Sequence, residues 1–199
     1  MRSPRHLLSF GIAVPILYYL ALLLGSAFYP GYSHVTRYAS ELGAAEAPHP
    51  WIFNSGIVAA GVAALLAGPG FAFALRRLGS DRLPAVLTGL TISLWGVAMV
   101  LGGSFPMPDP RHGGFGLGLP LLVAPLFLLW GLRRTPDAGR LRLFLLVVFL
   151  AMTALFAVMM GVGGLVTLAN VGLWQRGNAL ASIPWIGIVA YALRRRLAR

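Results

Sequence analysis

Residues 140–161 read RLRLFLLVVFLAMTALFAVMMG, and this stretch decides the fold. After Arg142 the chain continues without a charged side chain for about 20 residues, the length that an α-helix needs to cross a bilayer. The run therefore predicts a membrane-spanning helix that begins near Leu143 and ends between Gly164 and Asn170. The two arginines at its start are typical of the cytoplasmic boundary of such a helix.

The composition of the whole chain indicates a polytopic membrane protein. Of its 199 residues, 58% are hydrophobic and 11% are charged, and the mean hydropathy is +0.79. Soluble domains carry about 25% charged residues. The charge in this chain is too sparse to cover a water-facing surface, which excludes soluble enzymes and soluble binding domains.

Similar apolar runs predict six transmembrane helices in one compact bundle, an all-α domain that covers residues 1–199. The predicted spans are residues 7–29, 51–75, 84–105, 110–132, 143–168 and 173–193. The apolar run from Ala179 is too short to span, so the sixth helix is extended back to Leu173. The first span resembles a signal peptide, but its apolar run exceeds the usual length of one, and we interpret it as an uncleaved helix.

The arginines predict the orientation of the bundle. The net charge is +11 and all 16 basic residues are arginine. Thirteen lie at the two ends of the chain and in the loops after the second and fourth spans, which leaves only Arg37, Arg111 and Arg176 on the other side. The positive-inside rule then predicts two cytoplasmic termini and a multi-pass protein of the cell inner (plasma) membrane. Arginines clustered beside apolar runs do not indicate nucleic-acid binding, so the expected partners are membrane lipids, with the oligomeric state left open.

The sequence favours neither a metal nor another cofactor. It contains no cysteine, which excludes disulfides, thiolate metal sites and covalent c-type haem. A metal held by His34, His49 and His112 together with Asp109 or Glu41 is conceivable, but the chain has no H-E-x-x-H and no second closely spaced histidine pair. No histidine lies deep in a predicted span, where a b-type haem would need it. We expect no cofactor and no metal.

Unusual polar residues collect on the predicted outer side, in the first two outer loops and the adjoining helix ends. Four ionisable residues in three separate segments are less costly at the lipid boundary when they cluster. The candidate polar site consists of Ser40, Glu41, Asn54, Asp109, His112, Gln175 and Arg176. No catalytic residue is assigned among them.

Several of these residues also have simple structural interpretations. Asp109 precedes Pro110 and suits the N-cap of a helix. Asn54 has a purely structural interpretation as a hydrogen-bond partner of a neighbouring helix. Arg176 either reaches the headgroups or pairs with an acid. We expect it to form an ion pair with Glu41 or Asp109.

Short motifs in this order resemble a family of prokaryotic six-helix membrane proteins, the domain of unknown function 998. The matching pieces are Ser40-Glu41-Leu42-Gly43, Phe53-Asn54-Ser55-Gly56, Phe105-Pro106 with Asp109 and His112, and Gln175-Arg176. The resemblance covers nearly the whole chain. More distantly, Ser-Glu-Leu-Gly followed by Pro50 and Trp51-Ile52-Phe53 is similar to a pattern of the Frag1/DRAM/Sfk1 membrane family. That similarity implies a link to lipids, although this chain has Glu where the pattern has Asp and lacks its Pro-Pro-Glu.

The function expected from these observations is an outward-facing polar pocket that binds or processes a lipid or other amphiphile. If the protein is an enzyme, an Asp/His or Glu/His pair is the candidate acid and base, with Arg176 holding an anionic headgroup. The sequence does not decide between an enzyme and a binder. The alternatives are a non-catalytic membrane scaffold and a small-solute transporter, the latter disfavoured because the middle of each span is almost entirely apolar.

Overall fold

The computed structural model describes residues 5–198, and within that range the secondary structure is entirely helical, which confirms the predicted all-α class. The α-helices are α1 (Arg5–Ala27), α2 (Pro50–Arg77), α3 (Arg82–Ser104), α4 (Ala124–Gly131), α5 (Gly139–Met159), α6 (Val171–Ser182) and α7 (Pro184–Arg196). Short 3₁₀ segments lie at Ala39–Gly43, Pro110–Gly116, Leu119–Val123 and Val162–Gly164. Arg2 and Arg199 are among the thirteen arginines that predict the orientation, and both lie outside the described residues.

Among residues 5–198, five helical segments are long and apolar enough to cross a membrane: α1, α2, α3, Pro110–Gly131 and α5. The sixth predicted span is present as α6 and α7, which are separated at Ile183. Pro184 explains the break, because proline lacks the N–H that would continue the hydrogen-bond ladder and its ring clashes with the preceding turn.

The fourth predicted span is far less regular than expected. Only Ala124–Gly131, near its end, forms an α-helix, and two 3₁₀ segments make up most of the part before it. Gly114 and Phe115 both have a positive φ, of 59° and 53°. Such a backbone is incompatible with a continuing α-helix. The first part of this segment therefore consists of short turns.

The fifth span ends earlier than predicted. α5 stops at Met159, whereas the sequence analysis placed the end between Gly164 and Asn170. Gly161 follows the helix with a φ of 95°, and Gly163 and Gly164 also have positive φ values. Glycine in the left-handed conformation is the usual terminator of a helix, and here three of them turn residues 160–170 into a loop.

Small residues bring the helices into close contact, as expected for packing in lipid. A Cβ atom added to Gly96 would lie 2.5 Å from the backbone nitrogen of Leu65 and 2.6 Å from the carbonyl oxygen of Gly61. α2 and α3 can therefore approach this closely only with glycine at position 96. A Cβ atom added to Gly11 on α1 would lie 2.8 Å from the Cβ of Ala190 on α7.

Four parts of the chain meet at one end of the bundle, which we call the arginine-rich end. Arg196 donates hydrogen bonds to the carbonyl oxygens of Pro136 (3.0 Å) and Asp137 (2.7 Å). Arg133 pairs with Asp81, which ties the loop after α4 to the loop after α2. Arg5 lies beside Arg194 and Arg195, so both ends of the described chain are here.

Candidate functional site

A cavity of about 540 Å³ opens among the helices on the side away from the arginine-rich end. Its floor and sides are mostly apolar and include Phe53, Trp95, Met152 and Phe156. Tyr18 also lines it and lies roughly 13 Å along α1 from that helix's C-terminal end, at the helical rise of 1.5 Å per residue. The cavity thus extends from the loops toward the middle of the bundle, and its size is that of a small-molecule pocket.

Polar side chains line one wall and one end of the cavity. Gln175, Asn178 and Ser182 all line it from α6. Their spacing of three and four residues places them on one face of that helix. Ser40 and His112 complete the polar end.

Gln175 is held by two donors on the same oxygen. Its Oε1 accepts hydrogen bonds from the backbone N–H of Ala39 (2.7 Å) and from Nη1 of Arg176 (2.8 Å). Both contacts fix the direction of the side chain, and they identify Oε1 as the carbonyl oxygen because only an acceptor can receive them. The amide nitrogen of Gln175 makes no hydrogen bond within residues 5–198.

His112 is also fixed at one side of its ring. Nδ1 lies 3.0 Å from the carbonyl oxygens of both Gly102 and Phe105. A carbonyl oxygen can only accept, so Nδ1 carries the proton. In the neutral ring, Nε2 is then a hydrogen-bond acceptor, and no described side chain or backbone group occupies it.

Ser40 connects the two fixed residues. It follows Ala39, which bonds to Gln175, and its Oγ lies 3.5 Å from the sulfur of Met107 in the loop that leads to His112. The 3₁₀ turn Ala39–Gly43 therefore lies between the α6 wall and the loop that carries His112. Ser40, His112 and Gln175 are the predicted site residues that this structure brings together at the cavity.

Asp109 does not line the cavity. Its carboxylate accepts from the backbone N–H of Arg111 at 2.8 Å and forms a salt bridge with the Arg111 guanidinium at 2.7 Å. The hydrogen bond from the Arg111 side chain, followed by the one from its backbone, lowers the pKa of Asp109 to about 2. The structural interpretation of Asp109 as an N-cap before Pro110 is therefore the one that the geometry supports.

Glu41 and Asn54 stabilise the loop after α1. The Glu41 carboxylate accepts from the backbone N–H of Tyr38 at 2.7 Å, as in a capping box. Asn54 donates to the carbonyl oxygen of Gly43 at 2.9 Å. Neither side chain lines the cavity.

The predicted ion pair of Arg176 is wrong. In the described part of the chain no carboxylate lies within ion-pair distance of its guanidinium. Instead it donates to the carbonyl oxygen of Arg37 (3.0 Å), to Gln175 Oε1 and to the hydroxyl oxygen of Tyr32. These neutral oxygens are within reach because the loop after α1 folds over the start of α6, where Leu173 N–H donates to the Val35 carbonyl at 3.0 Å.

Most of the cavity lining was not predicted from the sequence. Asn178 and Ser182 carried a usable signal, since they continue the polar spacing that begins at Gln175 on the same helix. Tyr18, Trp95 and Met152 carried none, because an aromatic or Met side chain inside a span is equally compatible with contact to lipid or to protein.

No group of three or more metal-ligating side chains occurs within residues 5–198. His34 lies apart from the cavity, against Tyr32. Burial, followed by the nearby charge of Arg176, lowers the pKa of His34.

Comparison with known proteins places the chain in a family. Neither a search of curated proteins nor a search of solved structures finds a match. A family described as "protein of unknown function (DUF998)" matches residues 12–192, which includes every helix of the bundle at least in part. The chain therefore belongs to the DUF998 family of proteins of unknown function.

Proposed function

We propose that the protein binds a lipid or other amphiphile in the cavity. The observation that carries this proposal is the asymmetric lining: apolar side chains around most of the space, and polar ones at one end and along α6. A ligand with a hydrocarbon chain and a polar head suits such a lining, because each part of the molecule then meets groups of its own polarity.

The proposal includes an orientation. With the arginine-rich end in the cytoplasm of a bacterial-type inner (plasma) membrane, the polar end of the cavity faces outward. The ligand would then enter from the outer leaflet, and membrane lipids are its natural source. A head at the level of Ser40 and a chain reaching toward Tyr18 would follow the length of the cavity.

Thiol protection tests the proposal cleanly because the chain has no cysteine of its own. Ser182→Cys places a thiol in the cavity, and Ser55→Cys places one on the exposed face of α2 as a matched control. In phosphatidylcholine nanodiscs, added 1-oleoylglycerol should slow the reaction of the Ser182→Cys thiol with N-ethylmaleimide at least severalfold. The reaction of the Ser55→Cys thiol should keep its rate.

A blocking variant makes the test stricter. Gly118 lines the cavity with ordinary helical backbone angles, and a Cβ there would make only normal contacts with Trp95 and Ala98. Gly118→Leu should therefore fill part of the space, and protection of the Ser182→Cys thiol should weaken. Equal protection with and without the leucine would show that the amphiphile acts elsewhere, and the proposed function would be wrong.

A further inference from the structure

At the polar end of the cavity the His112 ring offers an acceptor and the Gln175 amide offers a donor, and no charged side chain of the described residues lines it. We infer that the amphiphile carries an uncharged hydroxyl headgroup, which donates to Nε2 of His112 and accepts from the amide nitrogen of Gln175. This inference rests on the proposed function and deepens it by naming the chemical class of the ligand.

The His112 ring is set as an acceptor by its surroundings. The carbonyl oxygens of Gly102 and Phe105 both face Nδ1 at 3.0 Å, so they hold the proton on that nitrogen. A backbone carbonyl that fixes one ring nitrogen determines the role of the other. Nε2 therefore presents a lone pair, which a hydroxyl hydrogen satisfies and a phosphate oxygen does not.

The Gln175 amide is set as a donor in the same manner. Its oxygen is occupied by the Ala39 N–H and the Arg176 guanidinium, which leaves the NH₂ group for a ligand. A cation on the amide oxygen draws electron density from the amide nitrogen and strengthens its N–H as a donor. A hydroxyl group is both donor and acceptor, so it can satisfy His112 and Gln175 together.

A charged headgroup would meet no charged side chain in the described lining of the cavity, and the guanidinium of Arg176 lies behind Gln175. No Asp, Glu, Lys or Arg lines the cavity in the part of the chain that the structure describes. The nearest charged groups have other contacts: Asp109 with Arg111, Glu41 with the Tyr38 N–H, and Arg176 with oxygen atoms of Arg37, Gly172, Gln175 and Tyr32. Within residues 5–198 the Nε of Arg176 makes no hydrogen bond. Burying an unpaired charge is far more costly than burying a hydrogen-bonded hydroxyl.

Three probes with the same oleoyl chain test the headgroup. They are 1-oleoylglycerol, its phosphate 1-oleoyl-lysophosphatidate, and methyl oleate, which has no hydroxyl. Protection of the Ser182→Cys thiol should need roughly tenfold less 1-oleoylglycerol than methyl oleate, the value of about two ordinary hydrogen bonds. It should also need less 1-oleoylglycerol than lysophosphatidate, which keeps a glycerol hydroxyl but adds a charge that must be buried.

Two conservative variants locate the contact. His112→Asn keeps an amide N–H near Gly102 and Phe105 but removes the Nε2 acceptor, and Gln175→Glu keeps the bonded oxygen but removes the NH₂ donor. Each should reduce the advantage of 1-oleoylglycerol over methyl oleate by roughly threefold, the share of one of the two hydrogen bonds. His49→Asn, outside the cavity, should leave that advantage unchanged. A ¹⁵N spectrum of histidine-labelled protein gives an independent readout, in which the signal lost in His112→Asn should be that of an Nδ1-protonated ring.

The outcomes separate the two proposals. If lysophosphatidate protects best, or if both conservative variants keep the full preference for the alcohol, the hydroxyl inference is wrong while the cavity remains an amphiphile site. If none of the three probes protects the Ser182→Cys thiol, the proposed function itself fails.

Discussion

At the scale of single residues, Arg176 illustrates how a cation is held near a membrane boundary without an acid. Its guanidinium donates to Tyr32, to the Arg37 carbonyl and to Gln175, all of which are neutral. From the sequence we expected an ion pair with Glu41 or Asp109, because an arginine near the lipid boundary needs a partner and an acid is the strongest one. The backbone carbonyl of Arg37 becomes a partner only when the loop folds over α6, so no sequence pattern could have revealed it.

We predict that Arg176→Ala lowers the free energy of unfolding by about 1–3 kcal/mol, since three acceptors lose a charged donor. Combining it with Glu41→Gln or with Asp109→Asn should be additive to within about 0.5 kcal/mol. The measurement is a double-mutant cycle from denaturation in mixed micelles. A coupling of roughly 3 kcal/mol with either acid would reveal the ion pair that the geometry excludes.

At the scale of elements, hydropathy predicted the positions of the apolar spans but not the regularity of their helices. The spans at α1, α2 and α3 follow their apolar runs closely, because composition alone decides them. The segment Pro110–Gly131 is similarly apolar, yet its first part forms 3₁₀ turns in which Gly114 and Phe115 adopt positive φ. Backbone angles of this kind depend on local packing, so they cannot be read from a run of apolar letters.

The α2–α3 contact predicts a sharp difference between two glycines. Gly96→Ala should destabilise the protein by about 1–3 kcal/mol, since its Cβ would be forced against rigid backbone atoms of α2. Gly139→Ala should be neutral or slightly stabilising, because nothing lies within 4 Å of that position and alanine favours the first turn of α5. The measurement is the melting temperature of each variant in detergent. Equal values for the two variants would show that the close contact of α2 and α3 does not require glycine at position 96.

At the scale of the whole molecule, the structure brings the two described ends of the chain together. Arg5, Arg133 and Arg196 all lie at the arginine-rich end. The candidate site was predicted in outline, as polar residues from separate segments, and Ser40, His112 and Gln175 do share the cavity. Its depth was not predicted, because the approach of Tyr18, Trp95 and Met152 depends on how the helices pack.

Reporter fusions test the orientation of the bundle. A reporter joined after residue 199 and one inserted between Arg134 and Arg140 should both give a cytoplasmic signal, in keeping with the positive-inside rule. The two sites should agree in any case, because Arg196 contacts the loop at Pro136. Opposite signals from the two fusions would be incompatible with the six-span bundle.

The shared oxygen of Gln175 has a consequence for how this sequence can change over evolutionary time. One atom receives hydrogen bonds from the Ala39 backbone and from Arg176, so positions 175 and 176 form a single unit. Loss of the amide alone leaves a guanidinium short of an acceptor, and loss of the guanidinium alone frees the amide to rotate away from the cavity. Natural variants should therefore replace the two residues together, and a lineage that keeps only one of them should have remodelled the loop at residues 32–39.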